Sequence, residues 1–175
     1  MAILPIFKYP SPVLRKKSAP VTEFGPELEE LVKDMAETMY DAPGVGLAAP
    51  QIGVSKQLII YDTAAEDEKG DYTALVNPKI LEAAGEEIGE EGCLSVRDYA
   101  AEVKRAQWIK LQAQDIEGND ISFEAEDWLA RVLQHEIDHL NGILFIDHLS
   151  SLKRMLYKKK LKKFLQMNKE KEAAR

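Results

Sequence analysis

"LQHEIDHLNG", residues 133–142, is the stretch on which the reading of this chain turns. His135 and His139 stand four apart with Glu136 between them. That is the H-E-x-x-H spacing, a metal-binding pattern when it lies on a helix. Each helical residue turns about 100° and rises about 1.5 Å, so His139 sits one turn beyond His135 and about 40° round the axis. Both imidazoles can then reach one metal at about 2.1 Å. Glu136 falls about 60° further round, beside the metal rather than on it, where it can touch a bound water. Trp128, Leu129, Val132, Leu133, Ile137 and Leu140 add an apolar face. The pattern predicts a core helix over about 126–141, ended by Gly142.

Two histidines leave a catalytic metal short of a ligand. A metzincin places a third histidine where this chain has Phe145, and His148 comes three residues too late. The zincin alternative, a glutamate on a following helix, fails as well: the first glutamate past this helix is Glu170, in a lysine-rich segment. Cys93, the only cysteine, lies in "EEGCLSV", residues 90–96. A lone cysteine is ordinarily a small buried core residue. Its uniqueness, its expected place in a turn and the two unpartnered histidines favour a Cys/His/His set instead. Three protein ligands with an open fourth position mark a catalytic rather than a structural site.

The 175 residues suffice for one domain with a sizeable core, and 45% apolar with 30% charged residues is ordinary for a soluble globular protein. A single cysteine permits no intrachain disulfide and fits a reducing cytoplasm. No stretch approaches the 18 or so apolar residues of a membrane span, and the N-terminus does not read as a signal peptide. The net charge of −7 is unevenly spread: residues 149–175 carry +8 and residues 1–148 carry −15. A basic tail on an acidic body suggests a polyanionic partner for the tail alone.

Along the chain, residues 1–24 read as an irregular arm. The stretch 25–44 reads as a helix with Pro26 at its start. "QLIIYD" (57–62), "TALVNP" (73–78) and "KILEAAGEE" (79–87) read as strands, with an acidic loop over 63–72. "YAAEVKRAQWIKLQAQD" (99–115) and "NDISFEAE" (119–126) read as two long strands joined by a turn at "IEGND". A third helix closes the chain, with Leu152, Leu156, Leu161, Phe164 and Leu165 as its packing face. Strands followed by helices predict an α+β fold. The expected organisation is a single domain of antiparallel β-sheets around a central metal-binding helix. Within it, 1–148 form a catalytic part and 149–175 a basic C-terminal helix.

Three separated segments together carry a resemblance: "GVGLAAPQ" (44–51), "EGCLS" (91–95) and "QHEIDHLNG" (134–142). With "ILPIFKYPSPVLRKKSAPV" at the N-terminus, they make the chain similar to the bacterial peptide deformylases over about residues 3–150. One departure is Arg97, where many members have proline. The resemblance implies Cys93, His135 and His139 as metal ligands and Glu136 as general acid/base. It implies Gln51 and the Leu94 backbone N–H as donors to the formyl oxygen. It also implies Fe(II), one per chain, with nickel, cobalt or zinc able to substitute. A Cys/His/His set by itself suggests zinc as readily. The implied activity is hydrolysis of the formyl group from the N-terminal methionine of nascent peptides in the cytoplasm, without membrane or DNA partners. Gly46, with Gly44, removes side chains where an extended peptide can pair with "GVGL". Val45, Gly92, Leu94, Val132 and the Trp128 region are candidates for the substrate slot. A basic C-terminal helix serves some members as a ribosome anchor, which would employ Lys158, Lys159, Lys160, Lys162 and Lys163. Two other readings stand beside this one: a zincin-like metallopeptidase, and a non-enzymatic ribosome-associated binding module.

Overall fold

A computed structural model describes residues 2–174. After the arm and a 3₁₀ turn at Pro12–Arg15, helix α1 (Pro26–Asp41) leads into β1 (Gly46–Ala48) and β2 (Leu58–Tyr61). Strands β3 (Thr73–Ala84), β4 (Glu87–Cys93), β5 (Val96–Arg105), β6 (Trp108–Gln114) and β7 (Asp120–Glu126) follow. Helices α2 (Asp127–Leu140) and α3 (Ser151–Ala173) close the chain. The strands form a five-stranded sheet of order β1-β2-β3-β6-β7 and a separate β4–β5 hairpin, every pairing antiparallel. The expected α+β single domain is the architecture found.

Helix α2 lies between the two sheets. Ala130, Leu133, Ile137 and Leu140 pack on the five-stranded sheet against Ile59, Leu75, Ile109 and Leu111. Arg131, His135, Glu136 and His139 are also buried. A helix covered on both sides has no solvent face on which to leave its polar residues, so each needs a partner. Gly142 ends α2 at φ 72°, a conformation glycine adopts without strain.

Two strand readings are corrected. The segment 73–87 is one strand, β3, to Ala84; its register shifts after Val76 let Asn77 (φ 50°) and Pro78 pass within it. The stretch 99–115 is not one strand: it breaks at Ala106-Gln107, and β5 and β6 belong to different sheets. Gln134 accepts from the Ala106 N–H and donates to its carbonyl, so a side chain of α2 replaces the missing ladder bonds at the break. The packing face of α3 is also corrected. Tyr157 and Leu161 are its buried residues, whereas Leu152 and Leu156 are more than half exposed. Tyr157 and Leu161 join Leu14, Val96, Val103 and Phe145 behind the β4–β5 hairpin.

Candidate metal centre

The β4–β5 hairpin brings Cys93 against α2. Cys93, expected in a turn before a strand, is the last residue of β4, beside the Leu94-Ser95 turn that leads into β5. The ligand atoms of Cys93, His135 and His139 all lie within 4.8 Å of one another, the one such cluster among the described residues. Cys93 Sγ is 3.3 Å from His139 Nε2. The two imidazoles meet edge to face with centroids 5.1 Å apart, so their nitrogens converge on one point. Phe145, which stands where a metzincin has its third histidine, is buried and stacks on the His135 ring with centroids 6.1 Å apart. His148 accepts no place in the cluster; its Nε2 lies 2.8 Å from Asp138.

Glu91 is the residue the sequence reading missed. Its Oε1 is 2.9 Å from His135 Nδ1, which directs Nε2 inward toward Cys93 and His139. Arg105 grips both oxygens of Glu91 at 2.9 Å, and Arg131 donates to Oε2 at 2.8 Å. Burial alone would raise the Glu91 pKa, but the bonds from Arg105 and His135 outweigh it and hold the carboxylate well below its ordinary range. One signal was available. Glu91 and Cys93 are two apart in a strand and therefore face the same side.

The two histidines are shifted in opposite directions. Burial pulls the His139 pKa well down, leaving a neutral imidazole ready to ligate. Burial pulls on His135 too, yet bonds to Cys93 and Glu91 push it above its ordinary value. Burial raises Glu136 to about 7. Its Oε2 has no partner, which for a buried carboxylate oxygen signals a missing proton, water or ion.

The remaining expected residues surround a cavity of 380 Å³ lined by Gly44, Val45, Gly46, Gln51, Gly92, Cys93, Leu94, Trp128, Val132, His135 and Glu136. Val132 is buried, while Trp128 is half exposed and stands at the rim. Gln51 Oε1 accepts from the Ala48 N–H at 2.9 Å, so its NH₂ faces the metal side: 3.1 Å from Ser95 Oγ and 3.7 Å from Cys93 Sγ. Strand β1 is a sheet edge. Asp62 N–H donates to the Val45 carbonyl at 2.9 Å, and antiparallel alternation then turns the Gly46 N–H and C=O away from β2, toward the cleft. A Cβ on Gly46 would stand 2.6 Å from Glu136 Oε1, and one on Gly44 would stand 2.8 Å from Leu94 Cδ1.

Residues 3–155 match the family model described as polypeptide deformylase. The peptide deformylase of Desulfotalea psychrophila is 59% identical over 165 residues, covering 94% of this chain and 98% of that protein. The crystal structure of a peptide deformylase from Legionella pneumophila superposes with a TM-score of 0.88 at 47% identity, covering 95% of this chain and 98% of the other. A peptide deformylase from Acinetobacter baumannii, solved bound to Met-Ala-Ser, gives a TM-score of 0.81 at 36% identity, covering 85% and 99%.

Proposed function

The chain belongs to the polypeptide deformylase family, and from that premise we infer that it hydrolyses the N-formyl group from the N-terminal methionine of newly made polypeptides, releasing formate and a free amine. The observation that carries this reading is the Cys93/His135/His139 donor set with the Glu136 carboxylate, whose buried Oε2 has no partner, beside it. The donors fit a metal ion: a thiol, a neutral imidazole and an imidazole oriented by a carboxylate. We take the ion to be Fe(II), with nickel, cobalt or zinc as substitutes. Once bound, it supplies Lewis acidity and makes hydroxide available near neutral pH.

The chain's own residues do the rest. An extended peptide pairs with the β1 edge through Gly46, and Val45, Gly92, Leu94, Val132 and Trp128 surround its methionine side chain. Glu136 takes a proton from the attacking water and delivers it to the leaving amine. Burial pushes this carboxyl above the ordinary carboxylate range, which favours its return of the proton as well as its uptake. Gln51 Nε2 and the Leu94 N–H donate to the oxygen on which negative charge develops. The A. baumannii relative binds Met-Ala-Ser, a peptide that starts with unformylated methionine as a product would.

The test is formate release from formyl-Met-Ala beside hydrolysis of casein. Formate release without casein cleavage supports deformylation; the reverse supports a zincin peptidase. Phe145 stacked on His135 already favours the first.

For the basic helix we propose docking on the ribosome of a cytoplasmic enzyme. Lys158, Lys159, Lys160, Lys162 and Lys163 are all exposed, while no helix among the described residues is long and apolar enough to cross a membrane. Leu161 is buried among them, so truncation at residue 158 would injure the core as well as remove charge. Reversal of Lys159 and Lys163 to glutamate isolates the charge. Ribosome co-sedimentation at low salt should fall while formyl-peptide hydrolysis is kept; unchanged sedimentation rejects the anchor.

A further inference from the structure

The N-terminal arm crosses the back of the proposed oxyanion-binding pair. Three consecutive residues make three contacts. Phe7 N–H donates to the Gln51 carbonyl at 2.7 Å, the Lys8 ammonium donates to the Leu94 carbonyl, and Tyr9 N–H donates to the Ser95 carbonyl at 2.7 Å. Gln51 and Leu94 lie on separate pieces of chain, one in a 3₁₀ turn after β1 and one in the β4–β5 turn. Apart from the arm, the polar contacts between those pieces are from the Gln51 amide to Ser95 Oγ and Cys93 Sγ. That amide is the group assigned to the substrate, so its own bonds cannot also fix the register of the two pieces once substrate competes for them.

We propose that residues 7–9 form a strap that registers Gln51 against the Cys93–Ser95 turn, with Lys8 as its positioning residue; this rests on the deformylase reading of Gln51 and Leu94. The peptide unit Lys8 grips is informative. Its carbonyl is that of Leu94, and its N–H is that of Ser95, which donates to Cys93 Sγ at 3.4 Å. A charged donor on the carbonyl polarises the whole unit and strengthens the N–H···S bond at its other end. One ammonium thus holds the turn that carries both the thiol and the Leu94 donor. The strap is anchored on each side. The Phe7 ring lies against Gly53, 2.7 Å from where a Cβ there would stand. Tyr9 meets the Tyr157 ring of α3 with centroids 6.3 Å apart.

Residues 7–9 do not line the cavity, so the main effect of losing the strap falls on turnover. In Lys8→Met, which keeps the stem and removes the charge, kcat for formyl-Met-Ala falls roughly tenfold, short of the hundredfold or so that a misplacement of about 1 Å costs. KM, metal content and Tm stay at wild type. Lys8→Arg, which restores a charged donor, recovers most of the loss; Lys8→Gln replaces Lys8→Met if that variant folds poorly. Combined with Gln51→Ala, Lys8→Met costs much less than it does alone, because the group being registered is gone. Three results separate the failures. Wild-type kcat in Gln51→Ala rejects the oxyanion assignment itself. A crippled Gln51→Ala beside wild-type kcat in Lys8→Met rejects the strap and leaves the assignment standing. Losses that simply multiply in the double variant reject the coupling between Lys8 and Gln51.

Discussion

Gly46→Ala is the sharpest single perturbation of the site. The backbone of Gly46 avoids the left-handed region, so alanine meets no conformational penalty, and the whole cost is steric. The new Cβ would stand 2.6 Å from Glu136 Oε1 and 3.0 Å from both Cδ and Cγ, where ordinary contact begins at 3.4 Å. Rotating the carboxylate relieves only its oxygen, since two carbons are also too near. The Glu136 backbone cannot retreat either: it lies on a helix packed from both sides. About 0.8 Å must therefore be found, by β1 moving out or by the carboxylate moving off its proton-transfer position. Overpacking of this kind costs about 1–3 kcal/mol. A shift approaching 1 Å costs up to about 10²-fold in rate. We expect Gly46→Ala to keep its metal, to lose several degrees of Tm, and to show kcat for formyl-Met-Ala reduced between roughly tenfold and a hundredfold. A variant with wild-type Tm and kcat would refute the close packing of β1 on Glu136 and the requirement for precise placement of its carboxylate.

Three further outcomes follow from the same geometry. Cys93→Ser replaces the soft ligand with a poor one, and metal analysis should find substoichiometric metal with at least about tenfold lower activity. Glu91→Gln leaves Arg131 without its buried countercharge, Arg105 with Asp138 as its remaining carboxylate, and His135 with a neutral amide in place of its orienting carboxylate. Urea unfolding should show a loss of about 3–5 kcal/mol, and metal affinity should drop about 10–100-fold. Asp62 accepts from the Gly70 and Ala64 N–H groups and the Tyr40 hydroxyl, which hold its pKa below the ordinary 3.8. A depressed carboxylate stabilises the fold above its unfolded pKa, and that stabilisation disappears as the pH falls through the folded value. The stability gap between wild type and Asp62→Asn should therefore be full at pH 7 and narrow below about pH 3.8; a constant gap refutes the role of its charge.

The metal helix was legible because its signal is local. Four-residue spacing and an apolar face survive any tertiary context, so α2 runs within a residue of its expected bounds. Cys93 stood out because it is the one thiol and the metzincin and zincin positions offer no ligand, and its Sγ lies within 4.8 Å of the ligand atoms of both histidines. Relations between distant segments were hidden. The break between β5 and β6 carries no glycine or proline, because Gln134, on a helix 28 residues away, supplies the bonds that the break removes. The Glu91–Arg105–Arg131 cluster joins residues 14 and 40 apart, each of which reads alone as a surface charge. In α3, apolar residues occur on more than one face, and periodicity could not tell that Tyr157 points inward while Leu156 faces water. The arm looks irregular because its order comes from Gln51, Leu94 and Ser95 rather than from its own sequence.

The most direct test of the division between metal-holding and proton-moving residues is Glu136→Gln, with metal content and formate release from formyl-Met-Ala measured on one oxygen-free preparation. Glutamine keeps the shape and removes the proton acceptor, and Glu136 lies outside the three-residue ligand cluster. About one metal per chain is expected, as in wild type, with formate release reduced by at least about 10²-fold. Wild-type formate release would contradict the role of Glu136 in proton transfer, and loss of the metal would contradict its place beside the ligand set rather than within it.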